Sequence, residues 1–385
     1  MTNALIPYGR QSISEADIAA VVDVLRADFL TQGPAIEVFE EAICGYTGAN
    51  FAVACSSGTA ALHLACLAIG LTAGDLLWTS PMSFAASANC ARFCNADVDF
   101  VDIDPATGNM SAVALAAKLR TAHQLPKALV LVHFAGLPGD LAAINELCKE
   151  HAIILIEDAA HALGAEYQEV KIGACQYSDF TTFSLHPVKI ITAGEGGVVT
   201  TNNPQWAQKL QVARSHGITK HEADFTETSH GGWYYEMQSL GYNYRLTDIQ
   251  AALANSQLTR LDEFIKARQT LAANYDQALA NLPIRYLPLL PDRQNAYHLD
   301  PILCTTKAPL QREALFAELH KMNIGCQVHY IPIHLLPYYQ KLGFKQGDFP
   351  AAEHFYQNVL SLPMFPALTN AQQQHVINTL KVLLS

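Results

Sequence analysis

The chain has 385 residues, enough for two or three domains with a sizeable core, which excludes a mini-protein dependent on disulfide or metal staples. Its 24 Lys and Arg against 35 Asp and Glu give a formal charge of -11, an argument against nucleic acid or an anionic membrane as main partner that still leaves room for a local anion site. Only 15% of the residues are charged and 50% are hydrophobic, so much of the surface is expected to be buried, inside one chain or against a second copy.

In chain order, the first eighteen residues, MTNALIPYGRQSISEADI, carry no basic flank, apolar core or small-residue cleavage site, so export is not expected. The nine cysteines contain no Cys-x-x-Cys pair and fit reduced thiols, which gives a cytoplasmic expectation, with Cys90 and Cys94 as core neighbours one helical turn apart. The uncharged stretch 51–73 is long enough to span a bilayer, yet Ser56-Ser57-Gly58-Thr59 interrupts it with turn chemistry. It reads as strand, turn and helix.

Apolar runs at 51–55, 76–79, 98–101, 129–134, 153–156 and 180–183 alternate with helix-like segments at 60–68, 84–93 and 141–148. Runs of this length between amphipathic helices predict an α/β domain whose parallel strands are covered on both faces. After Gly241 the pattern changes to one long helical stretch from Thr247 to about Leu279, then a strand at 297–303 and a helix at 311–322. The expected division is therefore a large α/β domain, 1–245, and a smaller α+β domain, 246–385.

Four segments carry candidate chemistry. Ser57-Gly58-Thr59, between a buried strand and an Ala/Leu-rich helix, would present backbone N–H groups and a helix dipole to a phosphate, or be a plain N-capped turn. Glu157-Asp158, followed by Ala159-Ala160-His161, places a carboxylate at the C-terminal edge of a strand, where α/β sheets bind ligands; a cap or buried ion pair reads equally well. Phe183-Ser184-Leu185-His186-Pro187-Val188-Lys189, with Gly194-Glu195-Gly196-Gly197 after it, sets Lys189 in an apolar, Gly-rich context. Burial there would disfavour the ammonium and free an amine for Schiff-base chemistry, the alternative being a lysine that snorkels from a strand end. The glycines lack dinucleotide-binding spacing and read as entry to a hairpin. Gly241-Tyr242-Asn243-Tyr244-Arg245-Leu246-Thr247-Asp248 opens the long helix, with amide and guanidinium donors beside a capping box.

Taken in order, these four motifs resemble the DegT/DnrJ/EryC1/StrS aminotransferases, from Ile6 to nearly the C-terminus. The resemblance implies the type I pyridoxal-phosphate fold of aspartate aminotransferase. It further implies pyridoxal 5'-phosphate as cofactor, a UDP-linked keto sugar as acceptor, L-glutamate as donor, and a homodimer with shared sites. Lys189 would attach the cofactor and move the proton, Asp158 would face its pyridine nitrogen, and His161 would lie near its ring face or 3-hydroxyl. Phe84 would stack on the other face. Ser57, Gly58, Thr59 and Ser184 would hold the phosphate, with Asn243 reaching in from a second subunit, and Tyr8, Arg245, His329 and Tyr330 would meet the substrate.

Within the family, Ile6-Pro7-Tyr8, the segments at 28–34 and 233–238, and Val328-His329-Tyr330-Ile331-Pro332 look most like the branch that aminates C4 of a UDP-4-keto-6-deoxy-N-acetylaltrosamine. Two positions depart from that pattern: Gly58 stands where alanine is expected and Leu185 where phenylalanine is expected. Sugar dehydratases on this scaffold resemble the same pattern with His at the Lys position, so Lys189 argues for amino transfer. Asp158, His161, Ser184 and Lys189 together argue against a regulatory protein that only holds the cofactor.

Overall fold

The computed structural model describes residues 4–385. Its centre is a seven-stranded sheet built from β1 (Phe51–Cys55), β2 (Leu76–Thr79), β3 (Asp97–Phe100), β4 (Ala128–Val132), β5 (Ile154–Asp158), β6 (Phe180–Ser184) and β7 (Gly197–Thr201). The strand order is β1-β7-β6-β5-β4-β2-β3. Neighbours from β3 to β6 run parallel, whereas β7 is antiparallel to both β1 and β6. The six expected strands are present within a few residues of their predicted positions. The seventh, behind Gly196, completes the hairpin that the glycines announce.

Alternation along the strands divides the core into two layers. Ala52, Ala54, Leu129, Leu131 and Leu155 pack against one helical layer, α2 (Pro34–Thr47), α5 (Ala112–Thr121) and α6 (Leu141–Glu150), through Phe39, Ile43, Leu115 and Ile144. Their strand neighbours Val53, Cys55, Val130 and Ile156 point the other way, onto α3 (Gly58–Ala68), α4 (Ala86–Phe93) and α7 (Pro204–Arg214). Both faces are covered, which is why these strands read as continuous apolar runs. Cys90 and Cys94 lie together in the second layer, beside Cys66.

The long helix expected from Thr247 is two helices, α8 (Asp248–Leu258) and α9 (Leu261–Leu279). A capping box starts α8, with Thr247 and Gln250 exchanging hydrogen bonds, as its sequence suggested. Asp248 then reaches back to accept from the amides of Gly33 and Ala35 at 2.9 and 3.1 Å, fixing the start of α2. α8 also packs on α1 (Glu15–Arg26), whose Asp17 is held by Arg260 at 2.6 Å.

Leu246, Ala251, Leu258, Leu261 and Ile265 belong to the large core, while Leu271, Tyr275 and Leu279 belong to the smaller one. One continuous helix, α9, therefore serves both cores. The smaller core packs a three-stranded antiparallel sheet, Ile284–Tyr286, Asp300–Cys304 and Val359–Leu362, against helices Arg312–Lys321 and Asn370–Leu384. Ile6 from the N-terminal segment joins it through a parallel bridge to Ile324. Among the described residues no helix is long and apolar enough to cross a membrane.

Candidate active site

A cavity of about 450 Å³ opens at the C-terminal ends of β4, β5 and β6, closed from the small-domain side by His298, His329 and Tyr330 and from the N-terminal segment by Tyr8. Its floor is the turn after β1. Ser57 is the N-cap of α3, its hydroxyl accepting from the amide of Ala60 at 3.1 Å, so the amides of Gly58 and Thr59 lie in the unpaired first turn of the helix. Close packing demands two of the glycines: a Cβ on Gly58 would lie 2.7 Å from Cβ of Ser184, and one on Gly197 only 2.2 Å from the carbonyl oxygen of Ser57. The turn, Ser184 at the end of β6 and the start of β7 are thereby pressed into one cradle.

The two acidic residues of β5 separate by strand alternation. Glu157 turns away from the cavity into a buried network, 2.7 Å from Nε2 of His133 and 3.0 Å from the hydroxyl of Thr181, with Ser178 also donating to it. Asp158 lines the cavity, its Oδ2 accepting from the Ser87 hydroxyl at 2.6 Å and its Oδ1 from the amide of Ala160 at 3.2 Å. It is a buried carboxylate held by neutral donors, ready to meet a cationic group.

Lys189 lines the same cavity after β6. Removal from water lowers its pKa from 10.5 to about 8, with the Asp158 charge opposing the fall, so a free amine is accessible near neutral pH. His161 is buried; its Nε2 lies 3.0 Å from the hydroxyl of Tyr330, and its ring centroid is 4.3 Å from that of His298. Burial first, then the fields of Lys189 and His329, push its pKa well down, and burial, then His161, Lys189, Arg268 and His329, do the same to His298. The Nδ1 atoms of both His161 and His298 are buried without a partner.

His329, pinned by the Ser361 hydroxyl at 2.9 Å and 5.5 Å from the Tyr8 ring, is lowered to about 3 by burial and then by Lys189. The expected helix over 84–93 begins at Ala86, which leaves the Phe84 ring 63% exposed in the cavity, 6.4 Å from Tyr330. The single chain thus brings together Tyr8, Ser57, Gly58, Thr59, Phe84, Asp158, His161, Ser184, Lys189, His329 and Tyr330.

It does not bring Asn243 or Arg245 to the cavity. Their segment runs behind the phosphate turn, with the Tyr244 carbonyl accepting from the amide of Ser56 at 2.7 Å and its amide donating to Arg214 at 3.0 Å, and Asn243 is exposed. His298, which the sequence did not single out, and Glu195, quoted there only as part of the hairpin entry, also line the cavity, and Ser87, likewise not singled out, bonds to Asp158.

The DegT/DnrJ/EryC1/StrS aminotransferase family profile matches residues 11–381. The chain belongs to this family. Among its relatives, the spore coat polysaccharide biosynthesis protein SpsC of Bacillus subtilis is 38% identical over 98% of this chain and 97% of that protein. The UDP-4-amino-4,6-dideoxy-N-acetyl-beta-L-altrosamine transaminase of Campylobacter jejuni is 37% identical over 98% of this chain and 96% of its own length. The solved structure of Helicobacter pylori PseC, an aminotransferase in the biosynthesis of pseudaminic acid, superposes with a TM-score of 0.90 at 34% identity, covering 98% and 99% of the two chains.

The protein is therefore a pyridoxal-phosphate-dependent sugar aminotransferase with the type I fold, and solved neighbours include pyridoxal and pyridoxamine phosphate forms. The residues present fit this cofactor. First-turn amides and the Ser184 hydroxyl suit a phosphate, the buried carboxylate of Asp158 suits a protonated ring nitrogen, and Lys189 is a desolvated amine. The Nδ1 atoms of His161 and His298, two residues of the cavity wall, are left without a partner.

Proposed function

We propose that this aminotransferase moves the amino group of L-glutamate to C4 of UDP-4-keto-6-deoxy-N-acetyl-L-altrosamine, in the formation of pseudaminic acid, as a cytoplasmic homodimer with shared sites. The observation that carries this reading is the 37% identity to the altrosamine transaminase along nearly the whole chain, with the shared-looking segment at 328–332 placing His329 and Tyr330 on the cavity.

When bound, pyridoxal phosphate supplies the electron sink and the temporary seat for the amino group. The chain's residues do the rest. Lys189 would hold the cofactor and would carry the proton between the donor's α-carbon, the cofactor and C4 of the sugar, roles its lowered pKa favours. Asp158 would keep the pyridine nitrogen protonated, and His161 and Phe84 would hold the ring, His161 by its face or its 3-hydroxyl. Gly58, Thr59, Ser57 and Ser184 hold the phosphate, with Asn243 of the second copy. Tyr8, His329 and Tyr330 contact the sugar nucleotide.

The 38% identity to SpsC supports a second reading, another nucleotide-linked 3- or 4-keto sugar as acceptor. Assay of the pure holoenzyme with glutamate against a panel of UDP-keto sugars, with the product configuration read by NMR, separates the two. Turnover confined to a different keto sugar overturns the first.

A further inference from the structure

A second cavity, of about 280 Å³, lies between the C-terminal half of α9 and the segment that leads into the small-domain sheet. It shares no wall residue with the site described above. Its charged wall residues are two acids, Asp276 and Asp300, and one base, Arg293, beside the neutral amides of Gln269, Gln294 and Asn295. Asp276 comes from α9, and Asp300, the first residue of the strand Asp300–Cys304, is 3% exposed.

Among the described residues nothing donates to the Asp300 carboxyl, and its Oδ2 is buried without a partner. A carboxylate so placed costs several kcal/mol when left uncompensated. Burial and the nearby charge of Asp276 both push its pKa well above the ordinary carboxylate range. The cation at the rim, Arg293, is already engaged with Asp292 at 3.3 Å, Asp140 at 3.8 Å and the carbonyl of Pro138 at 3.1 Å. Among the described residues no cation pairs with the Asp300 carboxyl, and the charge of Arg293 is met by Asp292 and Asp140.

The remaining walls decide what kind of cation fits. Tyr286, whose hydroxyl is tied to the Tyr275 carbonyl at 3.3 Å, and Tyr297 offer aromatic rings, and Leu287 and Leu299 offer aliphatic surface. The space is several times the roughly 30 Å³ of one water, and no group of three or more metal-ligating side chains occurs among the described residues. Hard, hydrated ions find too few oxygens here, whereas an alkylated cation gains both ring faces and apolar contact.

We propose that this cavity binds a small organic cation, its charge met by Asp300 and Asp276 and its alkyl groups packed against Tyr286, Tyr297, Leu287 and Leu299. The proposal is independent of which sugar the active site takes.

The test is isothermal titration of the holoenzyme with tetramethylammonium chloride, a probe that has no N–H and so cannot react with the cofactor. Saturable binding at one site per chain is expected, at least tenfold weaker in Asp300→Asn and several-fold weaker in Asp276→Asn, and not displaced by potassium chloride at equal ionic strength or by tert-butanol. Asp300→Asn breaks no hydrogen bond, and an unchanged thermal midpoint will confirm that it folds; Asp276→Asn, on the half-buried side of α9, gives a second reading if it does not. Absence of saturable heat, unchanged affinity in both variants, or equal displacement by potassium overturns the proposal.

Discussion

Ser87, in the first turn of α4, donates its hydroxyl to Oδ2 of Asp158 at 2.6 Å across 71 residues of sequence. Ser83 adds a second hydroxyl 2.7 Å behind it, so the carboxylate that faces the cavity is aimed by a short relay from the start of α4 and the turn before it. Ser87→Ala leaves Asp158 with the Ala160 amide alone and lets it rotate. We expect kcat to fall ten- to a hundredfold, about 1.4–2.7 kcal/mol of transition-state stabilisation, with a thermal midpoint within a few degrees of wild type. Ser87→Thr, which keeps the hydroxyl, should lose less. Steady-state kinetics of both variants decide, and an unchanged kcat in Ser87→Ala removes the relay from the mechanism.

The lowered pKa of Lys189 has a thermodynamic signature in the cofactor-free protein. Its folded-state value of about 8 lies below the ordinary 10.5, so between these pH values the unfolded chain binds more protons than the folded one. Stability contributed by this group must therefore rise with pH across that window and stay flat below it, where both states are charged and the cost of burying the ammonium is paid in full. Lys189→Met lacks the titration. The stability of wild type relative to that variant, from urea unfolding at a series of pH values, should increase from pH 8 to 10.5. A flat or falling difference would falsify the assignment of a desolvated amine. With cofactor restored, Lys189→Met should show no turnover.

Gly197 pairs with both Cys55 and Ser184, and the backbone of Ser57 crosses directly over it. A methyl group there meets a carbonyl at 2.2 Å, and neither a strand nor a helix N-cap can yield cheaply. Gly197→Ala is expected to cost about 1–3 kcal/mol of stability and, because it displaces the phosphate turn, to weaken cofactor binding at least tenfold. Gly45→Ala on α2, where an added Cβ meets nothing within 4 Å, is the matched control and should gain about 0.5–1 kcal/mol. Equal cofactor affinity in the two variants would detach the phosphate turn from Gly197.

Much of this site was legible because strands end where their apolar runs end. Asp158 and Ser184 close β5 and β6, Ser57 caps α3, and Lys189 follows its strand at a distance the chain alone reveals. Ser87 and His298 escaped for the opposite reason. Each is an ordinary polar residue in its own segment and acquires a role only through a partner far along the chain, Asp158 for one and His161 for the other. Which core each turn of α9 joins escaped by a related effect. The apolar period of α9 continues unbroken from Leu261 to Leu279 while the surface it packs against changes, and periodicity records that a face is buried without recording what buries it.

Asn243 is exposed and stands outside the cavity of its own chain, as a residue that serves the neighbouring site would. If Lys189 comes from one chain and Asn243 from its twofold mate, a Lys189→Ala homodimer lacks its nucleophile and an Asn243→Asp homodimer repels the phosphate, so both should be nearly inactive. Mixing the two and allowing subunits to exchange creates heterodimers in which one site carries both lesions and the other carries none. With random pairing, half of the dimers are mixed and half of their sites are intact, so activity should return to roughly a quarter of wild type. Were Asn243 to act within its own chain, every site in the mixture would keep one lesion and nothing would recover. Subunit exchange confirmed by mass spectrometry, without that recovery, would overturn the shared site while leaving the aminotransferase assignment intact.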